Sequence, residues 1–345
     1  MSTIYMIAEM AWSHDGKVAL AERIARGAAA AGANALSIHV THMPDYMVRH
    51  YGAGPGRVSA GKDVKPVYDY LSGINLSFDD WRKVAATARA AGLDVIVMPN
   101  DAKSLEFAAT LPPQAYVLSA ACFEELDFIA AVGRAGLPVY LRVGGATLGE
   151  IETAVNTLRR AGDARITLLY GHQNYPTKVE DTNLSFLATL MHTFGLPVGI
   201  ADHIDADDDF ALIAPLLAVP LGISCIEKHL THDRGKKGED FESALNPDEL
   251  RRLVTHVRKA ERALGNAVAV GLDESSARYR AVARKRLVAA RDIRAGAKVG
   301  MDDLIAKRAD EGVSPILRET LIGRTAQRDI ARDQGITLDL FAPAR

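Results

Sequence analysis

Residues 139–171, "VYLRVGGATLGEIETAVNTLRRAGDARITLLYG", hold one full turn of the pattern that decides the fold. Two apolar runs too short for helices, "VYLRV" and "ITLLYG", flank "LGEIETAVNTLRR", where apolar and polar residues alternate with helical period. The helix closes on Ala161-Gly162, and the next strand begins a few residues later. Outward from this unit the same order recurs. "IYMIAE", "ALSIHV", "DVIVMP", "AYVLSA", "PVGIA" and "SCIEKH" complete a set of eight strands, separated by helix patterns such as "VALAERIARGAAA", "FDDWRKVAATARA" and "PDELRRLVTHVRKAERAL". Several helices end in Ala-Gly, at Gly32, Gly92, Gly136 and Gly162, where glycine is expected to relieve left-handed C-cap strain. Eight strand–helix alternations predict an α/β fold, a (β/α)8 TIM barrel over residues 1–264. A doubly wound sheet is the alternative, but no Gly-rich fingerprint follows the first strand.

The pattern then changes. Residues 265–284 lose periodicity and carry charge, as a linker does. Residues 285–345 contain short β segments broken by turns, predicting a small, mostly β module. At about 60 residues such a module is marginal alone and gains from docking on a larger body.

Composition narrows the function. Basic and acidic residues nearly cancel, 41 against 43, and aromatics make up 6%, which argues against nucleic acid as a partner. Two cysteines, Cys122 and Cys225, are too few for a zinc cluster or disulfide framework and read as small buried residues in a reducing compartment. The N-terminal sequence lacks a signal-peptide pattern and no run of about 18 apolar residues occurs, so the expectation is a cytoplasmic protein acting on a small molecule, with no membrane partner.

In a barrel of this kind chemistry gathers at the C-terminal strand ends. Glu9 closes the first run, His39 the second, Asp202 and His203 the seventh, and Glu227 and His229 the eighth. Imidazoles on neighbouring strand ends can share one divalent ion, with Glu9 near enough to complete or polarise the site. The acidic trio Asp207–Asp209 opens the next helix and reads as N-terminal capping charge. His42 and His172 can extend the site or be solvated loop residues, His14 can order the first loop, and Trp12 can stack on a ligand while Trp81 fits a packed helix face.

"AEMAWSHDG", "NYPTKVEDTN", "PVGIADH", "IEKHLTHDR" and "GEDFESALNPDEL" resemble the motifs of the N-acetylneuraminate (sialic acid) synthase family, and "VAARDIRAGAKVGMDDLIAKRADEGVSP" resembles its C-terminal SAF, or antifreeze-like, domain. The resemblance spans almost the whole chain in order. It implies condensation of phosphoenolpyruvate with N-acetylmannosamine or a related amino sugar and a divalent ion, manganese or alternatively iron, cobalt, zinc or magnesium. It also implies a domain-swapped homodimer in which one chain's SAF domain caps the partner barrel. On this basis His203 and His229 are the metal-binding histidines and Glu9 the active-site glutamate. Tyr175 contacts substrate, Asp240 is the acid after the eighth strand, and Arg308 is the SAF arginine.

The chain also departs from that family. Ser37 stands where the family's second strand has lysine, and His39 where it has glutamine. Val117 replaces a second lysine and Ala120 a serine. Arg142 and Ala201 replace serines, Met98 falls near a threonine, and Gln173 replaces the asparagine of the sugar site. Losing charge-assisted donors removes interactions of roughly 1.5–3 kcal/mol each. Three readings follow: phosphoenolpyruvate still binds, with Arg142 and loop cations such as Lys62 or Lys65 as substitutes; the metal site serves carbon–carbon bond formation or cleavage with an unphosphorylated keto acid; or the chain is a non-catalytic ligand-binding relative. Survival of Glu9, His203, His229, Asp240 and Arg308 favours an enzyme, with His39, Arg142, His172, Gln173 and Tyr175 as the substrate-binding set.

Overall fold

A computed structural model describes residues 3–51, 67–265 and 271–342. It divides into two compact units, Met1–Gly265 and Asn266–Arg345.

The first unit is a closed barrel of eight parallel strands in sequential order: β1 Tyr5–Glu9, β2 Ala35–Val40, β3 Asp94–Pro99, β4 Ala115–Leu118, β5 Val139–Arg142, β6 Ile166–Tyr170, β7 Val198–Ala201 and β8 Cys225–His229. β1 pairs with β8 and closes the ring, setting Glu9 beside His229 on one side and Ser37 on the other. Alternation along each strand divides the core. Residues such as Met6, Leu36, Val95, Leu141, Leu168 and Ile200 point outward and pack under the helices. The opposite parity fills the barrel interior with Ile7, Ala35, Ile96, Met98, Ala115, Val117, Leu169, Ala201 and Cys225. On β8 the outward Lys228 meets Asp202 at 2.8 Å, a fully buried ion pair between barrel and helices.

The helices follow the sequence signals. Leu148–Ala161 starts on a capping box in which Thr147 Oγ1 accepts the Glu150 N–H and Glu150 accepts the Thr147 N–H. Of the acidic trio, Asp208 Oδ1 accepts the Phe210 N–H at 2.8 Å at the start of Phe210–Ala218, whereas the N-cap Asp209 makes no side-chain cap bond and Asp207 pairs with Arg234. Gly32, Gly92 and Gly136 adopt positive φ as expected. Gly162 does not: its φ of −180° is extended backbone. A Cβ there would lie 2.5 Å from the Gly133 carbonyl oxygen, so this glycine answers to the close approach of two helices and not to a left-handed cap.

Part of the stretch read as a linker, Glu274–Ala283, is helical and buries none of its residues. In the second unit β9 (Arg286–Ala289) and β10 (Leu304–Lys307) form an antiparallel pair, and isolated bridges such as Ile293–Ile330 and Lys298–Thr325 extend the β character. Leu287, Val299, Leu304, Ala326, Ile336 and Phe341 belong to its own small core. Among the described residues no helix is long and apolar enough to cross a membrane.

Candidate active site at the barrel mouth

The strand ends converge on Glu9. Its side chain is fully buried; Oε1 lies 2.6 Å from His39 Nε2 and accepts the Ala11 N–H at 2.9 Å, while Oε2 lies 2.6 Å from His229 Nε2. Both imidazole nitrogens lie close to the carboxylate but off the axis of a directional hydrogen bond. Arg142 reaches across the interior from β5, with Nη2 2.7 Å from Glu227 Oε1 and 3.7 Å from Glu9 Oε1. It is 2% exposed.

Burial works against ionising Glu9, but His229, His39 and Arg142 around it outweigh that and hold its carboxyl well below the usual range. Glu227 goes the other way: burial raises it, although Arg142 opposes the shift. Burial would depress His229, yet the Glu9 carboxylate beside it raises its pKa. His203 has no such partner among the described residues, and burial, reinforced by His229, keeps it far below normal and therefore neutral.

His203 and His229 come together with ring centroids 4.8 Å apart, edge to face. His203 Nδ1 lies 2.6 Å from the His172 carbonyl oxygen. A donating Nδ1–H leaves the Nε2 lone pair available, the usual arrangement of a metal-ligating imidazole anchored by a backbone carbonyl. Gly171 makes this possible, since a Cβ there would sit 1.8 Å from the Ala201 carbonyl oxygen. The His203 main chain is fixed in turn by Thr177 N and Ser243 Oγ, both donating to its carbonyl. Tyr175 leans on both imidazoles, at 4.8 Å from His203 and 5.4 Å from His229, and burial followed by the Asp240 charge pushes its phenol up. Asp240 follows β8 in a left-handed backbone conformation (φ 57°), and burial raises its carboxyl to about 7. His203 offers a neutral, carbonyl-anchored imidazole that fits a divalent cation, and His229 beside it would join on giving up the proton that Glu9 favours.

The other expected residues lie at varying distance from this centre. His172 contributes its carbonyl, and Gln173 is exposed with Oε1 3.5 Å from the Tyr175 hydroxyl. His14 is buried edge-on to Trp81 and accepts the Gly16 N–H at Nδ1, so it orders the first loop; burial lowers its pKa to about 3. Arg308 follows β10 in the second unit and is exposed. Cys122 and Cys225 are free and buried, both thiols pushed up to about 12 by burial. Lys62 and Lys65 lie outside the described residues.

The reading from sequence missed two features. Glu227 was noted only as a strand-end residue, not as the partner of Arg142. His42, Asp45 and Asp101 also bring ligand atoms within 4.8 Å of one another, a possible His/Asp metal site. Asp101 there already accepts the His42 N–H, the Ser104 N–H and the Ser104 hydroxyl, as the N-cap of Ala102–Ala109.

A model of the NeuB family matches residues 24–269, and one of the SAF domain matches residues 284–342. The chain is 28% identical to a pseudaminic acid synthase of Campylobacter jejuni, over 95% of this chain and 93% of that protein. It is 26% identical to an N,N'-diacetyllegionaminic acid synthase of Legionella pneumophila, over 93% and 90%. Among solved structures it resembles an N-acetylneuraminic acid synthetase of Leptospira borgpetersenii in complex with citrate, with a TM-score of 0.70 and 26% identity, over 81% of this chain and 92% of that one.

Proposed function

Because the chain belongs to the NeuB family, we propose that it is a metal-assisted, aldol-type enzyme of the nonulosonic acid synthase kind that joins, or in reverse cleaves, a carbon–carbon bond without using phosphoenolpyruvate as its donor. The relatives named as synthases support the aldol-type reaction. The observation that carries the altered donor is the pairing of Arg142 with Glu227 beside Glu9. The guanidinium charge is spent on two buried carboxylates. A phosphate dianion brought alongside would meet like charge and lose its water without matching donors. The neighbouring interior supports the same reading, since Met98, Val117 and Ala201 form an apolar layer and Ser37 is fully buried. The fitting donor carries one carboxylate or none: an unphosphorylated keto acid.

His203 and His229 would hold a divalent ion of manganese, iron, cobalt, zinc or magnesium type, and such an ion supplies Lewis-acid polarisation of a carbonyl oxygen. Glu9 orients the two imidazoles that touch it, Arg142 keeps Glu9 and Glu227 compensated, and Tyr175 and Asp240 line the approach. Titration calorimetry with manganese and phosphoenolpyruvate tests the reading. Weak or absent binding is expected; tight binding, or steady consumption with N-acetylmannosamine, would restore the ordinary family reaction.

The proposal extends to a cytoplasmic homodimer in which residues 285–345 of one copy present Arg308 to the barrel mouth of the other. The exposure of Arg308 is compatible with this. Sedimentation at micromolar concentration tests it, and a fully active monomer would refute it.

A further inference from the structure

His39 differs from the other ionisable groups around Glu9. Glu9, Arg142, Glu227 and His229 are 0–2% exposed, whereas His39 keeps 8%. One ring nitrogen, Nε2, touches Glu9 Oε1 at 2.6 Å. The other, Nδ1, makes no hydrogen bond among the described residues. A carboxylate behind one nitrogen favours the imidazole tautomer with its proton on that side, which puts the lone pair on the opposite nitrogen. Glu9 Oε1 is itself steadied by the Ala11 N–H, so the pair rests on backbone. The off-axis contact is no obstacle, because catalytic hydrogen bonds often align only when substrate binds.

We propose that His39, oriented by Glu9, is the acid–base catalyst of this site and acts on C3 of an unphosphorylated 2-keto acid. This rests on the donor reading above. An enol phosphate arrives with its enol already formed, whereas a keto acid must first lose a C3 proton, so an altered donor requires a base. His39 Nδ1 takes that proton. The C–H electron pair becomes the C2–C3 double bond, and the carbonyl π pair moves onto its oxygen. The enolate C3 then attacks the aldehyde carbon of the acceptor, the C2 carbonyl re-forms, and the new alkoxide takes the proton back from His39 Nδ1–H. No external oxidant, reductant or leaving group is needed.

The test uses the full chain supplied with manganese, in heavy water, with pyruvate as the probe and loss of its methyl proton signal by NMR as the readout. Wild type should wash out the methyl protons. His39→Gln, which keeps a polar side chain at Glu9, should slow this at least about 100-fold, as expected for loss of a general base, while metal content and melting temperature stay near wild type. If His39→Gln folds poorly, His39→Ala with added imidazole gives the second measurement: washout restored by imidazole supports the base, and none overturns it. Equal washout in wild type and His39→Gln overturns the assignment to His39 and leaves the keto-acid reading standing. No washout by wild type, with consumption of phosphoenolpyruvate and N-acetylmannosamine, overturns the donor reading and this proposal with it; no washout and no consumption overturns the proposal alone.

Discussion

Arg142 on β5 and Glu227 on β8 meet across the barrel interior, Nη2 to Oε1 at 2.7 Å, with both side chains almost wholly inside the protein. The contact joins strands that are not neighbours in the sheet, and a second carboxylate, Glu9, stands 3.7 Å from the same nitrogen. A buried cation between two buried anions locks the mouth electrostatically.

Removing the cation alone should be expensive. Arg142→Met leaves Glu227 and Glu9 without their compensating charge, and breaking a buried pair costs about 3–5 kcal/mol. Urea unfolding should show a loss of this order, and Arg142→Met/Glu227→Gln should recover part of it by removing one stranded charge. A single variant as stable as wild type would show that the pair contributes nothing to folding.

His14 should impose a pH dependence on stability. Burial holds it at about 3 in the folded chain, below the value of about 6.5 in an unfolded one. Between these values the unfolded chain binds the extra proton. The stabilising contribution is therefore complete above about pH 6.5 and is lost as pH falls toward 3, with a slope of up to about 1.4 kcal/mol per pH unit. Denaturant titrations of wild type and His14→Gln between pH 6.5 and 4.5 should differ in slope by this order. Identical slopes would mean that His14 takes up its proton without disturbing the fold.

Much of this was legible in the chain because the barrel is local in its grammar. The runs "ALSIHV" and "DVIVMP" are β2 and β3 residue for residue, and Glu9 and His229 end their strands as expected, since a strand end is set by a few adjacent residues, while His39 lies one residue before the end of β2. What was not legible depends on closure. Arg142 is separated from Glu227 by two intervening strands, β6 and β7, and nothing near either residue announces the other. Gly162 shows the same limit: Ala-Gly after a helix reads as a left-handed cap, and only the neighbouring helix at Gly133 reveals the steric reason. The short helices Met43–Tyr46 and Val67–Ile74 also escaped notice, being too brief for helical period to show.

That steric reading of Gly162 can be checked directly. Alanine there fits the extended backbone but puts its Cβ 2.5 Å from the Gly133 oxygen, so the helices Leu126–Arg134 and Leu148–Ala161 must separate. Overpacking of this kind costs about 1–3 kcal/mol. Gly136→Ala is the control, because a Cβ at Gly136 meets nothing within 4 Å and only its positive φ of 67° is strained. Thermal melts should rank Gly162→Ala as the less stable; the reverse order would make backbone conformation the governing factor.

The metal assignment makes a prediction that separates ligand from support. His203 and His229 are both buried and adjacent, but only His203 has its far nitrogen on a backbone carbonyl, that of His172. If these imidazoles hold the ion, His203→Ala and His229→Ala should each leave dialysed protein with at least about tenfold less bound manganese than wild type, because even losing an outer-shell partner of a ligand costs about 10–100-fold in affinity. Gly171→Ala should give a graded result. Its Cβ would collide with the Ala201 carbonyl, displace the His172 carbonyl from His203 Nδ1, and weaken binding without deleting a ligand. The possible site at His42, Asp45 and Asp101 supplies the contrast: Asp45→Ala should leave manganese content unchanged if the barrel-mouth histidines carry it. Metal elements measured by mass spectrometry after dialysis decide the matter. Retention in both histidine variants together with loss in Asp45→Ala would move the metal to the second strand's loop and sink the present assignment.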